Sequence, residues 1–196
     1  MFAGEKVDLE GPGFSFKSAQ LGYGRSDIEI WLAGRGPKML DLGGAFTDGV
    51  MLDFIFKPAL GEYVKQIRMG AEREGNDPKI CYSTMIVTDD ESLEIVRPHM
   101  TYRLVDSPSI VLDELGVSEK DISNIRGALA DGLEAAAEYV SDDWVLPFVI
   151  SGTVKECADE LAGLFEMYGF DEFMIPVFEP DSGIPLLETT AQVLGG

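Results

Sequence analysis

The stretch IWLAGRGPKMLDLGGAFTDGVML, residues 30–52, decides how the rest of the chain is read. Its opening is the end of a short apolar strand, Glu29 to Ala33, which runs straight into Gly34-Arg35-Gly36-Pro37. Proline suits the first position of a helix because it has no N–H to leave unpaired. A short helix is therefore expected from Pro37 to about Gly43. Asp48-Gly49 then marks a turn, and Gly49 to Asp53 reads as a second strand. Strand, helix and strand in close succession are the mark of a parallel α/β architecture.

The same alternation continues towards the C-terminus. A helix starting at Pro58 places Leu60, Tyr63, Val64, Ile67 and Ala71 on one face and ends at Gly75-Asn76. Ile80 to Val87 is the third strand. Asp89 or Asp90 caps the next helix, which carries Leu93, Val96, Met100 and Leu104. Residues 107–146 break the pattern and read as two or three helices, with Ser118/Asp121 and Asp131/Glu134 as their N-terminal caps. This segment is expected to be a helical insertion before the last strand, within a single domain spanning 1–196. The last unit has a Thr153/Glu156 capping box, an apolar stripe of Val154, Ala158, Leu161, Phe165 and Tyr168, and a stop at Gly169. The strand Glu172 to Val177 and a terminal helix from about Gly183 to Leu194 complete it. Ahead of the quoted stretch, Gly11 to Arg25 is glycine-rich and polar, and reads as a short hairpin or an excursion loop.

Composition bounds the function. The chain has 196 residues and is 45% hydrophobic, enough for one packed core. Its 15 Lys and Arg face 35 Asp and Glu, a formal charge of −20. Such a surface repels phosphate backbones and argues against a nucleic-acid partner, while favouring solubility. No apolar run approaches the ~18 residues of a membrane helix. Glu5, Lys6, Asp8 and Glu10 leave no room for the apolar core of a secretory signal. Cys81 and Cys157 have no metal or redox spacing and are expected as reduced thiols in a cytoplasmic protein.

Chemistry points to the first turn. In β/α folds ligands gather at the C-terminal ends of strands, where helix N-termini direct free N–H groups outward. The amides of Gly34, Arg35 and Gly36 can converge on an anion, those of Lys38 and Met39 extend the set, and Arg35 and Lys38 add positive charge. The same residues also make an ordinary strand-to-helix turn. Elsewhere the signals are thin. His99, the single histidine, follows Pro98 in a helix-like stretch and suits a surface or helix-packing role. Neither a zinc set nor a Ser-His-Asp arrangement is present. Asp89-Asp90-Glu91 and Asp142-Asp143 sit at helix starts, where capping explains them. Met39, Met51, Met85 and Met174 are expected in the core. No general acid or base can be named.

The quoted stretch resembles the central segment of luciferase-like flavin and deazaflavin oxidoreductases, which carry a strand, a Gly-x-Gly-Pro-type turn, a helix and Ala-Asp-Gly-Val. VDSPSIVLDELGV (Val105 to Val117) and FVISGTVKECADEL (Phe148 to Leu161) resemble stretches of the methylenetetrahydromethanopterin reductases, archaeal enzymes that use reduced coenzyme F420. Arg35 departs from the smaller residue often seen in the turn, and Thr47-Asp48 replaces Ala-Asp. The resemblance implies strands five to eight of a TIM-type (β/α)8 barrel, with the N-terminal half lying outside this sequence. It implies F420 as cofactor, FMN being the alternative, with the phosphate held by Gly34, Arg35, Gly36, Lys38 and Met39. It further implies hydride transfer to a tetrahydromethanopterin-type one-carbon carrier. The FMN alternative is a luciferase-like monooxygenase, and a non-catalytic remnant or interaction module is a third reading. The expected partners are a small-molecule substrate and either a second copy or a complementing N-terminal half. In this family the residues acting on the cofactor ring belong to strands one to four, so the chain alone is expected to be inactive.

Overall fold

In a computed structural model, which describes residues 2–178 and 180–195, the chain opens with a hairpin. Its strands β1 (Val7–Gly11) and β2 (Phe14–Ala19) pair antiparallel. The hairpin thus begins ahead of Gly11, the residue at which the sequence pattern places its start. Leu9, Phe14 and Phe16 remain exposed on it.

The α/β body follows. Strand β3 (Trp31–Ala33) leads through the glycine turn into α1 (Pro37–Phe46), with Pro37 in the first turn as expected. Strand β4 (Gly49–Asp53) matches its predicted bounds, and a single 3-10 turn at Lys57–Ala59 precedes α2 (Leu60–Glu74). Helices α1 and α2 approach closely because two glycines allow it. A Cβ on Gly44 would meet the Ile67 carbonyl oxygen at 1.9 Å, and one on Gly70 the Asp41 carbonyl oxygen at 2.0 Å.

The third predicted strand breaks in two. Strand β5 (Lys79–Ser83) stops, and β6 (Ile86–Val87) resumes beside a different partner. Thr84 causes the change of direction: its hydroxyl donates to the Phe148 carbonyl at 2.7 Å, and its amide to the Met174 carbonyl at 3.2 Å. Next comes α3 (Asp90–Val105), capped by Asp89 in a reciprocal box with Ser92. Short helices α4 (Ser109–Leu115), α5 (Glu119–Ala128), α6 (Leu133–Ala137) and α7 (Asp142–Val145) fill the predicted helical segment. Ser118 and Asp121 form the expected box, but Asp131 does not cap α6. Gly132 takes that place at φ 117, a backbone conformation that aspartate would hold only under strain.

Two strands, rather than one, follow this segment. The unpredicted β7 (Ile150–Ser151) pairs in parallel with β6, and α8 (Val154–Tyr168) starts from the Thr153/Glu156 box. Strand β8 (Glu172–Met174) is shorter than the predicted Glu172 to Val177. Helix α9 (Pro180–Leu194) begins earlier than Gly183.

The main sheet is parallel throughout, in the order β3-β4-β5-β8. Side chains alternate between its faces. Val50, Leu52, Ile80 and Tyr82 point towards α1, α2 and α8, and pack with Leu40, Leu60, Val64, Ile67, Cys157 and Leu161. A second core gathers Phe54, Phe56, Met85 and Val87 with Val96, Met100, Leu104 and the short helices. That helical layer lies beyond Asp53 and Ser83, the C-terminal ends of β4 and β5. Of the four methionines expected in the core only Met85 is buried. Met51 is half-buried, while Met39 and Met174 are exposed.

Candidate functional site

At the β3–α1 turn the chain places Gly36 as the helix N-cap, with φ −76 and ψ 142. Its carbonyl accepts the amides of Met39 at 2.9 Å and Leu40 at 3.0 Å. The amides of Arg35, Gly36 and Lys38 find no acceptor among the described residues. Those of Gly36 and Lys38 are orphan donors of the kind a helix start exposes, and that of Arg35 lies just ahead of the helix. Met39 departs from the sequence expectation. The first turn of α1 tightens and folds the Met39 amide back on Gly36, so that N–H is already occupied.

Gly36 has a further property. Its φ lies in the range any residue adopts, and a Cβ added there would meet nothing within 4 Å. Neither backbone conformation nor packing within the chain calls for glycine. What glycine does provide is a bare backbone that a ligand can approach.

The turn opens on a cleft of ≈ 670 Å³. Arg35, Gly36, Pro37 and Leu40 line it from this side, Phe54 to Phe56 from the end of β4, Tyr63 and Gln66 from α2, and Arg103, Ser107 and Phe148 from the helical layer. Of the predicted residues, Arg35 and Gly36 therefore face the cleft. Gly34 lies behind them, where a Cβ would press on Leu32 and Met39 at 3.2 Å. Lys38 and Met39 are exposed and are not part of the lining.

A polar group unmarked by any motif stands beside the turn. Asp53 Oδ2 accepts from Arg103 at 2.8 Å, and Asp53 Oδ1 from the Ser83 hydroxyl at 2.9 Å. The Arg103 side chain is only 14% exposed, and its guanidinium lies 5.8 Å from the centre of the Phe54 ring. Burial holds Arg103 below the usual arginine range, and the charge of Arg35 pushes the same way, opposed by Asp53. Phe54 itself sits at φ 44, a left-handed conformation that a bulky residue adopts at a cost. One signal could have flagged part of this group: Asp53 and Ser83 are polar ends of otherwise apolar strands, where β/α folds keep their chemistry. Arg103 carries no such signal.

The remaining candidates lie elsewhere. His99 stacks on Phe178 with ring centres 3.3 Å apart. Cys81 and Cys157 are free and buried, and burial pushes the Cys81 thiol up to about 11. Among the described residues no group of three or more His, Cys, Asp or Glu could hold a metal ion. Nor is any described helix long and apolar enough to cross a membrane.

Compared with known families, residues 1–172 match the sequence model described as luciferase-like monooxygenase. The chain belongs to the luciferase-like family. Among its relatives, the 5,10-methylenetetrahydromethanopterin reductase of Methanolobus tindarius is 30% identical over 84% of this chain and 53% of its own length. The reductase of the same name from Archaeoglobus fulgidus is 27% identical over 88% of this chain and 50% of its own length. This luciferase-like chain thus spans about half the length of the curated relatives it matches. The fold agrees with that of the coenzyme F420-dependent tetrahydromethanopterin reductase from Methanopyrus kandleri. That match has a TM-score of 0.75 at 22% identity, covering 99% of this chain and 57% of the other. An F420-dependent secondary alcohol dehydrogenase superposes with a TM-score of 0.65 at 19% identity, over 96% of this chain and 56% of its own. The luciferase-like chain is therefore an α/β protein with the fold seen in these enzymes.

Proposed function

We propose that this luciferase-like chain holds the phosphate of coenzyme F420 at the β3–α1 turn, as part of an oxidoreductase acting on a tetrahydromethanopterin-type one-carbon carrier. The observation that carries the proposal is the set of amides at Arg35, Gly36 and Lys38. They lack acceptors among the described residues and flank a glycine that neither conformation nor packing requires. The residues present fit a phosphate: backbone donors without acceptors among the described residues cluster there and the helix dipole favours a negative charge. Arg35 adds a guanidinium with no carboxylate partner among the described residues. Gly34 supports the turn from behind, and Lys38 adds charge on the solvent side. Met39 contributes less than its neighbours because its amide is turned inward.

A bound deazaflavin would supply the hydride chemistry. The chain's own residues would anchor its tail and form one wall of the cleft. Phe54, Phe56 and Phe148 would keep that wall dry, and Tyr63 and Gln66 would border it on the α2 side. The reductase relatives support the carrier as substrate. In this reading β3, β4, β5 and β8 are strands five to eight of an eight-stranded barrel, and the remaining strands come from a complementing N-terminal half. Buried reduced thiols suit the cytoplasm. The 196 residues alone are proposed to be inactive, since no general acid or base is assigned in them.

The family's description as a monooxygenase favours FMN as the second reading, because the same turn would hold an FMN phosphate. Titrating the complete protein with F420 and with FMN, and recording the absorbance change, separates the two. The turn itself is tested by Gly36→Asp, which sets a carboxylate beside the free amides without a steric clash. We expect cofactor affinity of the complete protein to fall about tenfold or more, the worth of a charge-assisted contact. Unchanged affinity would remove the phosphate assignment.

A further inference from the structure

The cleft holds a second cation whose position the phosphate turn does not explain. Arg103 reaches the cleft from the last turn of α3 and Arg35 from the β3–α1 turn, and after burial the charge of Arg35 helps to hold Arg103 below the usual arginine range. Only one carboxylate is committed between them: Asp53 binds Arg103 at 2.8 Å, and Ser83 fixes the second oxygen of that carboxylate at 2.9 Å. Of the cleft's other acids, Glu62 is held by Gln66 and Lys65, and Asp106 is exposed. Two guanidinium groups that line one partly desolvated cleft repel unless an anion lies between them. The planar fork of arginine matches phosphate oxygens two at a time. The Phe54 ring behind Arg103 and the Asp53–Ser83 pair beside it limit where that fork can turn.

We propose that Arg103 is a second cationic ligand of the phosphate group held at the β3–α1 turn. Asp53, itself held by Ser83, fixes its guanidinium in the cleft that Arg35 also lines, so that a phosphate is gripped from two elements far apart in sequence. The proposal rests on the phosphate reading of the turn. It adds the residue that would select a phosphate over a carboxylate, because a two-sided grip needs oxygens pointing in more than two directions.

Inorganic phosphate serves as the probe, titrated into the full 196-residue chain at low ionic strength and followed by 31P NMR. Wild type is compared with Gly36→Asp, Arg35→Met, Arg103→Met and Arg103→Lys, each checked for folding by circular dichroism. Arg35→Met and Arg103→Met should each weaken phosphate about tenfold, the loss of one charge-assisted contact. Their combination should lose less than the product of the two, since both grip one group. Arg103→Lys keeps the ion pair with Asp53 but loses the fork, so it should fold like wild type and still bind phosphate more weakly. It also decides the matter if Arg103→Met fails to fold. Acetate, titrated in the same way, should be weakened less than phosphate by Arg103→Lys.

If Gly36→Asp and Arg35→Met weaken phosphate while Arg103→Lys matches wild type, Arg103 is a structural ion-pair residue and the turn assignment stands. If the Arg103 variants alone weaken phosphate, the anion lies away from the turn and both assignments fall. No saturable phosphate binding by the wild-type chain also overturns both.

Discussion

The two faces of the parallel sheet are built from alternate residues of the same strands, yet they meet different surroundings. Val50, Leu52, Ile80 and Tyr82 on one face are sealed by α1, α2 and α8, and all are almost fully buried. On the other face Ala33, Lys79, Glu172 and Met174 are exposed, and Trp31, Met51 and Asp53 are half-buried. Cys81 and Ser83 are the buried residues there, and Ser83 belongs to the polar group beside the cleft. One face therefore carries stability. The other carries the polar ends of β4 and β5, which hold Arg103 in place. Within a barrel this second face would be the interior, and its polar rim would meet the ligand.

Truncation on each face is the strongest way to break this comparison. Leu52→Ala removes a fully buried side chain and should cost about 2–5 kcal/mol in urea unfolding. Met51→Ala, one residue away on the half-open face, should cost less than half as much. Equal losses would mean that the second face is packed as tightly as the first. Tyr82→Phe sharpens the picture of the sealed face. The Tyr82 hydroxyl is buried without a partner among the described residues, and burial pushes its ionisation well above the usual tyrosine range. Deleting the hydroxyl should raise stability by about 1 kcal/mol, because an unsatisfied buried polar group costs free energy. A loss of stability would show that the hydroxyl has a partner in solution.

The smallest expected effect lies in the start of α8, the helix that helps to cover this face. The Glu156 carboxylate accepts the Thr153 amide at 2.8 Å and the Thr153 hydroxyl at 2.7 Å, which holds its ionisation below the ordinary 4.5. A carboxylate lowered in the folded state stabilises fully above its unfolded value and loses that contribution as pH falls through the folded one. Glu156→Gln should therefore flatten the fall of stability just below pH 4.5, as measured by thermal melts across the acid range. A slope identical to wild type would show that the capping carboxylate is not linked to folding.

Much of the framework is legible in the sequence. The Asp48-Gly49 turn placed β4, and the apolar stripe of α2 and the Thr153/Glu156 box placed their helices, because each signal lies within one or two turns of chain. The errors have a common cause in longer range. Ile80 to Val87 looks like one strand, since nothing local announces that Thr84 will bond to Phe148 and Met174. Met39 and Met174 look like core residues, since hydrophobicity alone does not reveal which face has a cover. At the candidate site the turn was readable from Gly34 to Pro37. The occupied amide of Met39 and the unneeded glycine at position 36 emerge only from backbone geometry.

What the amino-acid order determined by itself was the alternation of strands and helices and the glycine-proline turn that opens α1 after β3. Both depend on propensities and hydrogen bonds that close over a few residues. The union of Arg103 with Asp53 and Ser83 was decided by tertiary structure alone. Its members come from three elements separated by long stretches of chain, and only the parallel stacking of β4 beside β5, with α3 packed above their ends, brings the three side chains together beside the cleft.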